Sequence, residues 1–352
     1  MKVLFLPDWS RGGNPYQREL AAALQKRGLT VIMGNGTNRL PILGAMKIHG
    51  KPDVLHLHWT HPFLLGRKRV KSIIRSIRFL AELFTVKILG IKIIWTVHNL
   101  LEHERRDPQV EIFFNRLLVR LYDHLIVHCS FAREAVVRSY QLPNRFRNKI
   151  FVIPHGNYMN SYENQVTRNK ARGRLVLGNS EIVFLYFGTI RPNKGVLRLI
   201  DTFRKLQSPR VRLLIVGEPS SEAIRSKIMR CCKSDSRIRA LLQFVPAKDV
   251  QLYMNAADVV VLPFQDILTS GSALLAMSFG KPVIAPRLGC IPEILDSKGV
   301  FLYDHSKEEG LFKAIRQASL ANLDAMGKYN YDKAKCFNWG VIAQKTCALY
   351  KL

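Results

Sequence analysis

Acidic residues are scarce in this chain: 26 Asp and Glu stand against 54 Lys and Arg among 352 residues, a formal net charge of +28. A protein so cationic is expected to meet something anionic, whether nucleic acid, an acidic membrane surface or a phosphorylated small molecule. The excess is no basic tail, because residues 1–160 hold 25 basic and 10 acidic groups (+15), leaving 29 and 16 (+13) for the rest. Cysteine is scarce too, with six at 129, 231, 232, 290, 336 and 347. They show no CxxC spacing and no histidines at zinc-site intervals, which argues against a disulfide framework and a structural zinc and fits a reducing cytoplasm. No cleavable signal peptide is expected, since the short apolar stretch from Met1 to Leu6 runs straight into Pro7 and Asp8. No long hydrophobic run is present either: residues 76–95 are broken by Arg78, Glu82, Lys87 and Lys92, so no membrane span is expected. Low-complexity tracts and short-period repeats are also missing, and 47% hydrophobic content excludes disorder.

What is present is a rhythm. Short β-branched, apolar runs at 3–6, 30–33, 53–57, 92–97, 124–127 and 150–153 alternate with helical patterns near 15–27, 67–88, 109–121 and 130–140. After a polar stretch at 157–180 the rhythm restarts, with runs at 182–187, 213–216, 240–244, 258–262 and 282–285. Strands alternating with helices imply parallel sheets, so an α/β fold of two Rossmann-like, doubly wound domains facing across a cleft is expected. The expected boundaries are 1–160, 161–335, and a C-terminal helix at 336–352 packing back on the first domain. Such sheets bind ligands at the carboxyl ends of their strands, so function is expected in the loops after Leu6, Leu57, Val97, Phe187, Val216 and Leu262.

Three of those loops carry chemistry. Ser10-Arg-Gly-Gly-Asn-Pro15 enters the first helix, and Gly13 there lets backbone N–H groups approach an anion or a sugar, although an ordinary tight turn explains it as well. In Phe187-Gly-Thr-Ile-Arg-Pro-Asn-Lys-Gly195, a glycine at the end of a buried strand (Gly188, then Thr189) precedes Arg191 and Lys194. Two cations beside a closely approachable backbone are what a diphosphate needs. In Asp266-Ile-Leu-Thr-Ser-Gly-Ser-Ala273, Thr269, Ser270, Gly271 and Ser272 open a helix whose N-terminal amides can face phosphate, a plain capped helix start being the bland alternative.

Phe-Gly-Thr-Ile-Arg-Pro-Asn-Lys-Gly (187–195), Ile-Val-Gly-Glu (215–218), Ala-Ala-Asp-Val-Val-Val-Leu-Pro (256–263), Ala-Met-Ser-Phe-Gly-Lys-Pro-Val-Ile-Ala (276–285) and Gly-Cys-Ile-Pro-Glu (289–293) resemble the carboxy-terminal domain of family 4-like glycosyltransferases, the glycosyl transferases group 1, of the GT-B fold. The first half joins in with Gly12-Gly13, Val54-Leu-His-Leu-His-Trp59, Thr96-Val-His-Asn99 and Val152-Ile-Pro-His-Gly156. The resemblance implies that the second domain holds a nucleotide sugar and that Arg191 and Lys194 neutralise its diphosphate without a bound metal. It also implies that the first domain offers the acceptor, that His98 contacts the donor sugar, and that the domains close around the donor. No cofactor beyond the donor is implied. The chain departs from the family where two glutamates eight positions apart commonly grip sugar and ribose: Ile267 and Leu275 stand there. Asp266 and Glu293 are the expected replacements, and the departure leaves both the donor and the stereochemistry open. An inverting reaction would need a base, for which His98, Glu102, Glu104, Asp8, His56 and His58 are candidates; His56, inside a strand, reads equally as a satisfied core histidine.

Residues 65–92 hold eight cations and one acid interleaved with Ile, Leu and Phe. This pattern fits a helix on an anionic membrane surface, or a surface helix whose apolar stripe faces its own core. The expected function is transfer of a hexose, first guess glucose from UDP-glucose, to a saccharide or polyprenyl-diphosphate-linked acceptor in polysaccharide biosynthesis. The expected place is the cytoplasm, peripheral on the inner face of the plasma membrane. The alternatives are a mannosyl- or glucuronosyltransferase, a sugar-nucleotide-binding protein without transfer, and an epimerase or phosphorylase of the same fold. A nucleic-acid partner is not expected, because no recognisable binding module is present.

Overall fold

The computed structural model describes residues 1–10, 14–37, 39–102 and 106–352, which fall into two units, Met1–Gly156 with Asn338–Leu352 and Asn157–Phe337. In the first, β1 (Lys2–Leu6), β2 (Thr30–Met33), β3 (Val54–Leu57), β4 (Lys92–Thr96), β5 (His124–Val127) and β6 (Ile150–Val152) form one parallel sheet in the order β2-β1-β3-β4-β5-β6. In the second, β7 (Ile182–Phe187), β8 (Val211–Val216), β9 (Ile238–Leu241), β10 (Val259–Val261), β11 (Val283–Pro286) and β12 (Val300–Tyr303) form another, in the order β12-β11-β10-β7-β8-β9. Both sheets carry helices on their faces, so the central strands are buried on both sides and read as unbroken apolar runs.

Strand order reverses once in each sheet, between β1 and β3, which pair Val3 with Val54, and between β7 and β10, which pair Phe184 with Val259. At such a reversal the two following loops turn to opposite faces and leave a crevice between them.

The first core gathers Phe5, Tyr16, Leu20, Val54, Ile94 and Ile126 with Ile342, Leu349 and Tyr350 of the terminal helix Trp339–Lys351. The second packs Phe184, Leu199, Phe203, Leu213, Val259 and Ile315. Most strand positions expected from the sequence are present. The run at 240–244 lies two residues late against β9, β12 was not anticipated, and neither was the helix Pro41–His49.

One buried cation ties the start of the second unit to its sheet. Arg172 is fully buried in the helix Arg168–Arg174. It donates through Nη1 to the carbonyls of Gly178, Asn179 and Glu181 at 2.8, 3.1 and 2.9 Å, and through Nε to that of Ala256 at 3.1 Å. Its Nη2 meets Asp258 Oδ2 at 2.5 Å, and that oxygen also accepts from the Val183 N–H at the start of β7. Removing one partner of a buried, hydrogen-bonded ion pair leaves the other charge uncompensated. Arg172→Met is therefore expected to lower stability by roughly 3–5 kcal/mol in urea unfolding. A loss within experimental error would show that Asp258 and the four carbonyls do not depend on Arg172.

Candidate functional site

In the second unit the loops after β7 and β10 meet at the strand-order reversal, and they do so backbone against backbone. Gly195 lies so close to the Pro263 carbonyl that a Cβ would come within 2.0 Å of its oxygen, and Gln265 N–H donates to Asn193 O at 2.9 Å. Gly217, at the end of β8 with φ +149°, would place a Cβ 1.9 Å from the Gly188 oxygen. Glycine is required at both points, because any side chain would push the loops apart. Gly188 is different: a Cβ there would meet only Ser272 Oγ, at 3.8 Å, an ordinary van der Waals contact, so the end of β7 stands directly beside the start of the helix Gly271–Ser278.

That helix starts as the sequence implied. Ser270 Oγ accepts from Ala273 N–H at 3.1 Å, and Gly271 and Ser272 occupy the first turn, where the partial positive end of the helix dipole lies. The Tyr158 hydroxyl stands 3.1 Å from where a Gly271 Cβ would be. No spacing argument pointed to Tyr158, since it is far from the loop in sequence.

Arg191 and Lys194 stand on this loop, and among the described residues neither side chain forms an ion pair. Lys194 Nζ lies 4.4 Å from the centre of the Phe264 ring. Burial pushes its ammonium down to about 8, the Arg191 charge acts in the same sense, and Asp266 opposes both. An anion in this place would relieve the crowding. Thr189 is exposed and its carbonyl accepts from the Tyr186 hydroxyl at 2.8 Å. Asp266 is exposed, Thr269 is half-buried, and Glu293 is exposed in the short helix Ile291–Ile294. The turn leading to Glu293 packs on the same loop, with Cys290 N–H donating to Leu268 O at 2.8 Å. The structure thus brings the loop residues 188–194, 266–272 and the turn before Glu293 together. Gly13 and Glu104 lie outside the described residues.

His98 belongs to the first unit, in a nest of aromatic rings. It stacks on Trp59 at 4.3 Å, meets Tyr16 edge-on at 4.7 Å, and its Nε2 lies 3.4 Å from His58 Nδ1. Trp59 stacks in turn on Trp9, so the loops after β1 and β3 touch at the other strand-order reversal. His56 is a satisfied core histidine: Nδ1 bonds Tyr350 Oη at 2.6 Å and Nε2 bonds Thr96 Oγ1 at 2.7 Å. His155 pairs Nδ1 with the Gly156 carbonyl at 2.8 Å. Asp8 accepts from the N–H and hydroxyl of Ser10, holding its own turn. Glu102 is buried and its carboxylate pairs with Arg106.

A pocket lined by His58, Trp59, His61, His98, Glu111 and Asn115 opens here. Two of its buried polar atoms, His58 Nε2 and Asn115 Oδ1, meet no hydrogen-bond partner among the described residues. Glu111, on the helix Pro108–Leu121, accepts from the Glu102 N–H at 3.1 and 2.9 Å, and burial pushes its carboxyl up to about 7. Sequence reading passed over Glu111, which sits inside a regular amphipathic helix with no motif around it.

Burial holds the histidines of this nest neutral, with His56 and His155 pushed down to about 3, His128 to about 4, and His58 and His98 also lowered. Because the folded pKa values lie below the unfolded 6.5, the unfolded chain binds more protons in acid, and stability falls as pH drops below about 6.5. Each such group contributes roughly 1.4 kcal/mol per pH unit to that slope. The urea midpoint of the first unit is expected to fall steeply from about pH 6.5 to about pH 5. A flat profile would mean that the nest opens to water without unfolding.

Residues 34–157 match the model of Glycosyltransferase Family 4 and residues 181–319 that of Glycosyl transferases group 1. The chain is 32% identical over 268 residues, 75% of its length and 70% of the relative's, to the GDP-mannose:glycolipid 4-beta-D-mannosyltransferase of Xanthomonas campestris pv. campestris. Among solved structures it resembles sucrose-phosphate synthase from Thermosynechococcus elongatus, with a TM-score of 0.77 at 20% identity, covering 99% of this chain and 98% of that one. It also resembles Anabaena HepE in complex with UDP-glucose, with a TM-score of 0.76 at 18% identity over the whole of both chains. These two likenesses concern the fold. With both halves matched in order and the 32% identical relative covered over 70% of its length, the chain belongs to the family 4-like glycosyltransferases, the glycosyl transferases group 1, and has their GT-B architecture.

Proposed function

We propose that this glycosyltransferase moves mannose from GDP-mannose to a glycolipid, forming a β-linkage. The observation that carries the reading is the 32% identity to a GDP-mannose:glycolipid 4-beta-D-mannosyltransferase. The initial expectation of UDP-glucose has only structural likenesses at or below 20% identity behind it, and those concern the fold. Ile267 and Leu275 cannot accept hydrogen bonds, so the donor-gripping glutamates of many relatives are replaced by apolar groups, Leu275 being buried.

In this reading the second unit takes the donor. The diphosphate lies against the adjoining Gly188 and Ser272, its charge met by Arg191, Lys194 and the first-turn amides of the helix Gly271–Ser278, so no metal is required. Asp266 and Glu293 contact sugar and ribose, Thr189, Thr269 and Ser270 border the phosphates, and His98, held neutral, contacts the transferred sugar. Forming a β-mannoside from an α-linked nucleotide sugar inverts C1 and calls for a base on the acceptor hydroxyl. Glu111 takes that role: a carboxyl near 7 is partly ionised at neutral pH, and Glu111 lines the pocket beside His58, His98 and Asn115.

GDP-mannose and GDP are expected to raise the melting temperature and UDP-glucose and UDP to leave it unchanged, with slow mannose release from GDP-mannose alone and no effect of EDTA. Arg191→Ala or Lys194→Ala should weaken GDP binding at least about tenfold, as loss of a charge-assisted contact of about 1.5–3 kcal/mol implies. Wild-type affinity should also decline as pH rises above about 8, where Lys194 of the free protein loses its proton, and this slope should vanish in Lys194→Met. Stabilisation by uridine nucleotides instead would return the donor to UDP-glucose, and intact GDP affinity in both alanine variants would remove the diphosphate assignment.

Glu111→Gln is expected to lower kcat by about 10²–10⁴ with donor affinity unchanged, and to abolish an acidic limb of the pH profile near 7. Retention of that limb would assign the base elsewhere.

A further inference from the structure

The helix Arg69–Ile88 is turned the unexpected way round. Its buried residues are Ser72, Ser76, Phe79, Glu82, Leu83 and Val86, and both serines are spent on backbone carbonyls, Ser76 Oγ donating to Leu64 O at 3.1 Å. Val70, Ile73, Ile74, Ile77, Phe84 and Ile88 face outward, with Ile74 57%, Phe84 58% and Ile88 72% exposed. With Ala81, also exposed, their spacing is i, i+3, i+4, i+7, i+11, i+14 and i+18, a single stripe along one face at 3.6 residues per turn. A surface helix that served only its own core would bury those isoleucines and expose the serines. Here the reverse holds over five turns.

Charge follows the same division. Glu82, the one acid of the segment, points inward and accepts from the N–H groups of Ile42 and Leu43 at 3.1 and 2.9 Å, capping the helix Pro41–His49. Lys87 is paired with Asp123 and Arg75 donates to the Leu65 carbonyl. Arg67, Lys68, Arg69 and Lys71 remain exposed at the start of the helix, beside the apolar stripe. The outward surface of the segment thus offers isoleucine and phenylalanine flanked by cations, with no exposed acid. Among the described residues no helix is long and apolar enough to cross a membrane, so a bilayer in contact with this stripe would meet it along the helix and not end-on.

We propose that this helix docks in the headgroup region of an anionic phospholipid bilayer, the stripe Val70 to Ile88 entering the acyl boundary and Arg67, Lys68, Arg69 and Lys71 meeting lipid phosphates. A second copy of the chain is the less suitable occupant, since pairing two such faces would oppose their cations. The helix begins just beyond His61–Leu64, and His61 lines the pocket that holds Glu111. Docking therefore holds the mouth of that pocket beside the surface where a glycolipid headgroup lies. In that last respect the inference rests on the glycolipid reading, while the docking itself does not.

The test is co-sedimentation of the full chain with vesicles of phosphatidylcholine, with and without about a third phosphatidylglycerol. Binding to the anionic vesicles alone is expected, weakening as salt rises. Ile74→Asp with Ile77→Asp should reduce it at least about tenfold, and replacing Arg67, Lys68, Arg69 and Lys71 by serine should do the same. Thermal stability and GDP affinity should stay unchanged in both variants, since none of these side chains is buried. Equal binding by wild type and both variants would overturn the proposal, as would a dimer in light scattering that the aspartate pair dissolves. Vesicle binding lost with mannose transfer to a detergent-solubilised acceptor intact would support docking and the function together. Vesicle binding without any transfer would leave docking standing and remove the glycolipid reading.

Discussion

Parallel pairing across the reversal of strand order, β7 beside β10 and β1 beside β3, is the constraint on which the rest depends. Parallel strands send all their following loops to one edge, and at a reversal two of those loops diverge around a crevice. In the second unit the crevice is tightened by backbone contact alone, Gly195 against Pro263 and Gly217 against Gly188. That closeness places Arg191 and Lys194 near each other and near a helix N-terminus, with Asp266 as the acid that acts on Lys194. Burial first and the neighbouring Arg191 second depress the Lys194 pKa, an effect that a ligand bringing negative charge would oppose.

The first unit solves a different problem. Its crevice is filled with rings, Tyr16, Trp59, Trp9 and the histidines, which pack as neutral apolar bodies with polar edges. Keeping imidazoles neutral lets them sit beside Trp59 and donate or accept without a charge. It also ties the stability of the unit to pH. Glu111 shares this low-polarity wall, and the burial that would penalise a structural carboxylate gives it a pKa suited to proton transfer. The helix Arg69–Ile88 likewise leaves six large apolar side chains outside its own core.

Much of this was legible beforehand. The central strands appear in sequence as unbroken apolar runs because parallel strands are covered on both faces, and the loops behind them carry Gly188, Arg191, Lys194 and Ser270 at readable spacings. Edge strands are covered less fully, and there the reading slipped: β9 was placed two residues late and β12 was missed. His56 was ambiguous in sequence because its partners, Thr96 and Tyr350, are 40 and 294 residues away. Glu111 and Tyr158 carried no local signal at all. Each acquires its place only through a neighbour remote in sequence.

Local order, then, is what the chain by itself determined: two alternating β/α halves, a cationic surplus, and glycine and cation loops at strand ends. These follow from side-chain periodicity and backbone freedom over a few residues. Orientation was left to the tertiary structure. Periodicity shows that the helix Arg69–Ile88 has an apolar stripe, yet it is the capping of Pro41–His49 by Glu82 and the seating of Ser72 and Ser76 against the preceding turn that direct the isoleucines outward. The physical reason is that a helix can rotate about its axis without any change in its own hydrogen bonds, so only contacts with other elements choose which face meets the core.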